Sequence, residues 1–234
     1  MKGKYAERLI VALDFSDPRE ALAMVEQLSP LGVSFKIGLE LFMAGGPPLV
    51  AKLAAGQRIF LDLKFHDIPN TVAAAVKNAA ALGVWMINVH AAGGRGMMAA
   101  AREAVEQMDK RPLVIAVTVL TSMSDRSLAE TGYRGGVAGG VNLLSSLAAQ
   151  CGLDGVVCSP LEVPLVKKNI SPQFLTVSPG VRPAGQSRDD QSRVAEPAAV
   201  IRAGGDFLVV GRPITGSTDP LQAAAGILEE MGAL

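Results

Sequence analysis

Eight short apolar runs recur along the chain, separated by helical or turn-rich segments: Leu9–Asp14, Val33–Gly38, Ile59–Lys64, Val84–His90, Leu113–Leu120, Gly155–Ser159, Phe174–Ser178 and Phe207–Gly211. Most carry Val, Ile, Leu or Phe on both faces, the pattern of parallel strands covered on both sides. Asp17 or Ser16 offers a cap for a first helix with Pro18 in its opening turn. Thr71–Leu82 and Met97–Met108 have Ala-rich helical patterns, Gly139–Gln150 and Asp189–Ala203 share that period, and Asp219-Pro220 opens a last helix. No linker, low-complexity tract or charge block divides these units. Strand–helix repetition without a boundary predicts a single (β/α)8 TIM barrel of the α/β class over residues 1–234. A doubly wound sheet would place a Gly-rich turn after its first strand, where this chain has Asp14-Phe15-Ser16-Asp17-Pro18.

Composition narrows the partners more than the fold. At 49% hydrophobic and 19% charged, the 234 residues exclude disordered and fibrous classes. The 22 basic and 22 acidic side chains cancel, leaving no electrostatic footprint for nucleic acid or an anionic membrane. The N-terminus lacks a long apolar core and no run reaches the roughly 18 apolar residues of a membrane span, so a soluble cytoplasmic protein is expected. Cys151 and Cys158 are not spaced as a metal or redox motif, and Cys158 reads as a small buried residue. His66 and His90 are the only histidines and form no ligand cluster, so no metal site is expected.

In a barrel of this kind, active sites collect at the C-terminal ends of the strands. Polar residues accumulate there: Asp14, Lys36, Asp62 with Lys64, Asn88 with His90, Thr121-Ser122, Ser159, Arg182 and Gly211-Arg212. The densest stretch is Arg58 to Thr71, RIFLDLKFHDIPNT. Strand alternation places Asp62 and Lys64 on one face, and Asp67 follows in the adjoining loop. A lysine buried inside a barrel is costly alone, so Lys36 requires an inward carboxylate such as Asp14 or Asp62. An alternating Lys36–Asp62–Lys64–Asp67 array would satisfy all four charges. Asp14 has a second reading as a helix cap, Thr121 and Ser159 as ordinary strand-end residues, and His90 as a hydrogen-bonded structural histidine.

The eighth strand end has a different character. Gly211 permits close approach and Arg212 supplies a forked, always charged donor, as suits a phosphate held after strands seven and eight. Arg182, Gln186 and Gln191 lie on a long polar segment, 178–191, whose length at a barrel mouth suggests a lid. Arg188 on that segment reads as a solvated surface charge.

FLDLKFHDIPNT, supported by FKIGLELF, VTVLTS, SPGVRP and VVGRPIT, resembles the orotidine 5′-phosphate decarboxylase family of the bacterial type, through essentially the whole chain. The resemblance implies removal of CO2 from orotidine 5′-monophosphate to give uridine 5′-monophosphate (UMP), the last step of pyrimidine nucleotide synthesis, with no cofactor. It implies that Lys64 donates a proton to C6, that Asp62 faces the departing carboxylate, and that Asp14 and Lys36 hold the ribose. It assigns the phosphate to Gln191 and Arg212 with Gly211 and Arg182, and the pyrimidine to Thr121 or its neighbours Ser122 and Ser124. It further implies a homodimer in which Asp67, Ile68 and Thr71 enter the neighbouring subunit's site. Two other readings compete: a Mg²⁺-dependent sugar-phosphate decarboxylase or aldolase of the same barrel group, and a catalytically silent barrel that only binds nucleotide.

Overall fold

The computed structural model of the chain describes residues 6–183 and 195–232. Eight parallel strands close into a barrel in sequence order: β1 (Leu9–Ala12), β2 (Ser34–Gly38), β3 (Ile59–Phe65), β4 (Met86–His90), β5 (Leu113–Val117), β6 (Gly155–Val157), β7 (Leu175–Ser178) and β8 (Phe207–Val210). The helices around it are α1 (Pro18–Leu28), α2 (Leu39–Ala54), α3 (Pro69–Ala81), α4 (Gly94–Glu103), α5 (Asp125–Glu130), α6 (Gly136–Gln150), α7 (Val163–Asn169), α8 (Pro197–Arg202), α9 (Arg212–Thr215) and α10 (Pro220–Gly232). The (β/α)8 barrel expected from the apolar runs is therefore the observed architecture. Among the described residues, no helix is long and apolar enough to cross a membrane.

Alternation explains why the strands look apolar throughout. Ile10, Ala12, Phe60, Met86, Ile115, Val177 and Val209 form one cluster that fills the barrel. Their strand neighbours Leu9, Val11, Phe35, Ile37, Ile59 and Leu61 belong to the larger core beneath the helices. Both faces are dry, so both are hydrophobic. Towards the C-terminal end polar residues enter this interior, and Lys36, Asp62 and Asn88 are all buried.

Element ends differ from the sequence expectation where local chemistry decides. β1 stops at Ala12 and β5 at Val117, which leaves Asp14 and Thr121 in loops at the barrel mouth. α3 begins at Pro69, earlier than Thr71, because proline at the first helical position has no N–H to leave unpaired. Asp17, of the two candidate caps, takes that role in α1, accepting the Arg19 N–H at 2.8 Å. α4 ends at Glu103, short of Met108. In the segment expected to be helical over 189–203, only 195–203 is described. There Ala195 bridges to Val181, Glu196 is extended ahead of Pro197, and the helix starts at Pro197.

Charges at the opposite, N-terminal end of the barrel brace the strands. Arg111 grips Asp154 through two contacts of 2.8 Å, and Asp154 also accepts the Val114 N–H at 2.7 Å. Lys167 lies 2.6 Å from Asp206, which accepts the Thr176 N–H at 2.8 Å. Each carboxylate ties a cation to the backbone of a neighbouring strand, a stabilising role typical of that face.

Candidate active site

The site is built around an irregularity in β3. The β3–β4 register moves from Leu61 opposite Ile87 to Phe65 opposite Val89, so β3 spends more residues than β4 over this step. Lys64 lies in that bulge and is the one non-glycine among the described residues with positive φ, at 52°. Bulges re-aim side chains and interrupt the ladder, and a bulky residue in the left-handed region persists only where its surroundings enforce it. Simple alternation, the basis for placing Asp62 and Lys64 on one face, therefore does not hold here. The two side chains still meet, with Lys64 Nζ 2.7 Å from Asp62 Oδ1.

Asp62 is the hub of the local charges. Lys36 approaches its other oxygen at 3.5 Å and donates to Asp14 Oδ1 at 3.0 Å. Asn88 donates to Asp62 Oδ1 at 2.6 Å and accepts the Lys64 N–H at 2.8 Å. Burial alone would push the Lys36 ammonium below its ordinary value, but Asp62 and then Asp14 outweigh it and hold Lys36 above that value. Lys36 is thus a fixed cation at any physiological pH.

Three members of the expected Lys36–Asp62–Lys64–Asp67 array, Lys36, Asp62 and Lys64, meet within one chain. Within the chain, Asp14 occupies the end of the array, while Asp67 is exposed beyond β3 and accepts the Ile68 N–H at 2.6 Å. Among the described residues, no ion pair joins Asp67 to either lysine. Ile68 and Thr71 are exposed beside it, Ile68 at 66%.

Two adjoining cavities open at this end and share Lys36, Pro179 and Val209. The first, about 200 Å³, has Asp62, Lys64 and Thr121 set in apolar walls that include Phe60, Val117 and Val177. The second, about 310 Å³, brings Asp14, Arg182, Gly211, Arg212 and Thr215 together. Arg182 is buried, its Nη1 donates to the Val181 carbonyl, and its Nε has no partner among the described residues. A buried guanidinium beside an exposed Arg212 makes this cleft suited to an anion. Gln186, Arg188 and Gln191 lie outside the described residues, as does the greater part of the suggested lid. Ser122 and Ser124 do not line either cavity, and Ser124 caps α5. Ser159 caps the turn after β6, accepting the Leu161 N–H at 3.3 Å. Cys158 is fully buried, as expected.

Asn88, expected only as one of the polar strand-end residues, is a member of the charge network. Its signal was present, a lone amide within the apolar run Met86-Ile87-Asn88-Val89, but its partner, the bulge, leaves no mark on sequence periodicity.

Fold and site together define a (β/α)8 barrel with a lysine–carboxylate array at the strand ends and an arginine-lined anion cleft alongside. The chain belongs to the Orotidine 5′-phosphate decarboxylase / HUMPS family, whose model matches residues 7–227. It is 54% identical over 221 residues to a protein of Dichelobacter nodosus named orotidine 5′-phosphate decarboxylase, covering 94% of this chain and 96% of that protein. A protein of the same name from Alkalilimnicola ehrlichii is 52% identical over 227 residues, covering 97% of each. A crystal structure of orotidine 5′-phosphate decarboxylase from Lactobacillus acidophilus superposes with a TM-score of 0.86 at 39% identity, covering 96% of this chain and 99% of that one.

His90 ends β4 and stacks on His66, with ring centroids 5.3 Å apart and planes 24° apart. Its Nδ1 is buried without a hydrogen bond among the described residues, and the ring is held there by stacking. Burial first, then His66 and Lys64, hold the imidazole below its ordinary value of 6.5. Because the folded value is the lower one, the unfolded chain takes up the proton first as pH falls. The contribution to stability is complete above 6.5 and is lost as pH falls through the folded value. The stability gap between the native chain and His90→Phe, measured by urea denaturation, should be flat at alkaline pH and shrink in acid. A gap independent of pH would contradict a depressed His90.

Proposed function

We propose that the chain decarboxylates orotidine 5′-monophosphate to UMP without a cofactor, in the cytoplasm, as the last step of pyrimidine nucleotide synthesis. In this reading residues 1–234 act as one catalytic barrel. The observation that carries it is the Lys64 ammonium held 2.7 Å from buried Asp62 in an apolar-walled cavity adjoining the arginine cleft. The family description alone spans two branches, but the relatives from Dichelobacter nodosus and Alkalilimnicola ehrlichii both carry the decarboxylase name.

Breaking the bond between C6 and the carboxylate releases CO2 and leaves an electron pair on C6, with no ordinary electron sink in the ring. A preorganised ammonium in a water-poor pocket stabilises that charge directly. Lys64 fills this role and transfers a proton to C6, becoming a neutral amine that regains its proton from water. Asp62 faces the substrate carboxylate, and their repulsion is relieved as CO2 departs. Asp14 and Lys36 hold the ribose hydroxyls, and Thr121 meets the pyrimidine. Arg182, Gly211 and Arg212, with Gln191, take the phosphate, whose binding energy is available to order the charges.

The active unit in this proposal is a homodimer. Asp67, Ile68 and Thr71 reach the neighbour's site, a reading supported by their shared exposure beside β3 and by the lack, among the described residues, of an ion pair from Asp67 to either lysine. Mixing Lys64→Ala with Asp67→Ala protein then rebuilds one intact site per mixed dimer. Roughly a quarter of native activity should return at random reassortment. No return in a sample shown to contain heterodimers would place Asp67 outside the shared site.

Adding the chain to orotidine 5′-monophosphate should remove the absorbance of the orotate ring, equally with and without a chelator. No change at any enzyme concentration contradicts the proposal. Loss of activity to a chelator, restored by Mg²⁺, assigns the chain to sugar-phosphate-type metal chemistry instead.

A further inference from the structure

The β3 bulge poses a problem that Asn88 solves. Where β3 outruns β4, the Lys64 N–H falls out of step with the ladder, and the Asn88 side chain lies opposite, between Ile87 and Val89. Its carbonyl oxygen accepts the Lys64 N–H at 2.8 Å, and its amide nitrogen donates to Asp62 Oδ1 at 2.6 Å. One fully buried amide thus fixes both the backbone of the lysine and the carboxylate that the lysine's ammonium touches. We propose that Asn88 is a positioning residue for decarboxylation: it locks Lys64 in its left-handed conformation and orients Asp62, so that ammonium and carboxylate face the reacting carbon in fixed geometry. The proposal rests on the reading of the site given above.

The requirement is for an acceptor and a donor on one short, rigid side chain. Leucine would match the volume and leave a backbone N–H and a carboxylate oxygen unpartnered in a dry interior. Aspartate keeps the acceptor but turns the donor into a second carboxylate oxygen at the 2.6 Å contact with Asp62. Two carboxylates at that distance repel each other while both are ionised, so as pH falls the pair takes up one shared proton sooner than either carboxylate would alone. The charged groups facing position 88 from β3 are Asp62 and Lys64, and Lys36 reaches Asp62 from β2. On the other side β5 opposes it with apolar Ile115, and His90 follows on β4 itself.

These surroundings give Asn88→Asp a signature that a purely structural role lacks. Near neutral pH its kcat should fall about a hundredfold, the scale of a small misplacement of reacting groups. KM should stay close to the native value, because Arg182 and Arg212 grip the substrate from other strand ends. As pH falls, the shared proton restores a donor to Asp62, so the ratio of variant to native kcat should climb. A ratio of one throughout, a deficit independent of pH, or a loss confined to KM would each overturn the proposal. A crystal structure of Asn88→Ala supplies a readout independent of activity. Lys64 should leave the left-handed region, or its Nζ should move away from Asp62. Lys64 still at positive φ with its Nζ on Asp62 would overturn the assignment. If the native chain fails to act on orotidine 5′-monophosphate, the functional reading falls and this second measurement alone judges Asn88.

Discussion

A buried carboxylate organises this molecule. Asp62 sits inside the barrel, where an isolated charge is strongly disfavoured, and three side chains from two other strands and its own converge on it: Lys36 from β2, Lys64 from β3 and Asn88 from β4. Removing any one leaves the others with an uncompensated charge or polar group in a place that water reaches poorly. The closed barrel makes such a convergence possible, because side chains from several strands point into one shared interior. The bulge then delivers Lys64 at a position that regular alternation would not reach.

The two ends of the barrel use the same residue types for opposite purposes. At the N-terminal end, Asp154 and Asp206 bind backbone N–H groups as well as their cations, so each pair is fastened to the sheet. At the other end, the Lys64 ammonium ends on a side-chain carboxylate beside an open cavity, and half-buried Lys64 can face a ligand. That difference in partners, more than the charges themselves, separates a brace from a site. It also suits a reaction in which the fixed charges must exist before the substrate arrives, since preorganisation is what makes them effective.

Much of this was legible in the sequence because burial on both faces writes itself as uninterrupted apolar runs. The polar interruptions at the ends of those runs, Lys36, Asp62, Lys64 and Arg182 among them, marked the mouth correctly as a place. Two features were not legible. The bulge depends on how many residues β3 uses against β4, a property of the pair of strands that neither strand's own pattern contains. Asn88 consequently looked like a minor polar residue, since its role exists only opposite the bulge. Within one chain, Asp14 pairs with Lys36 at the end of the array, while Asp67 lies outside it. Spacing along β3 favoured Asp67, whereas closure of the barrel brings Lys36 of β2 beside the loop after β1.

One ammonium, held in place by this network, carries the proposed decarboxylation. Lys64→Ala tests it most directly, with turnover of orotidine 5′-monophosphate and binding of UMP measured on the same folded preparation. Turnover should be abolished while UMP is still bound through the arginine cleft. A variant that binds UMP and retains a substantial fraction of native turnover would contradict it.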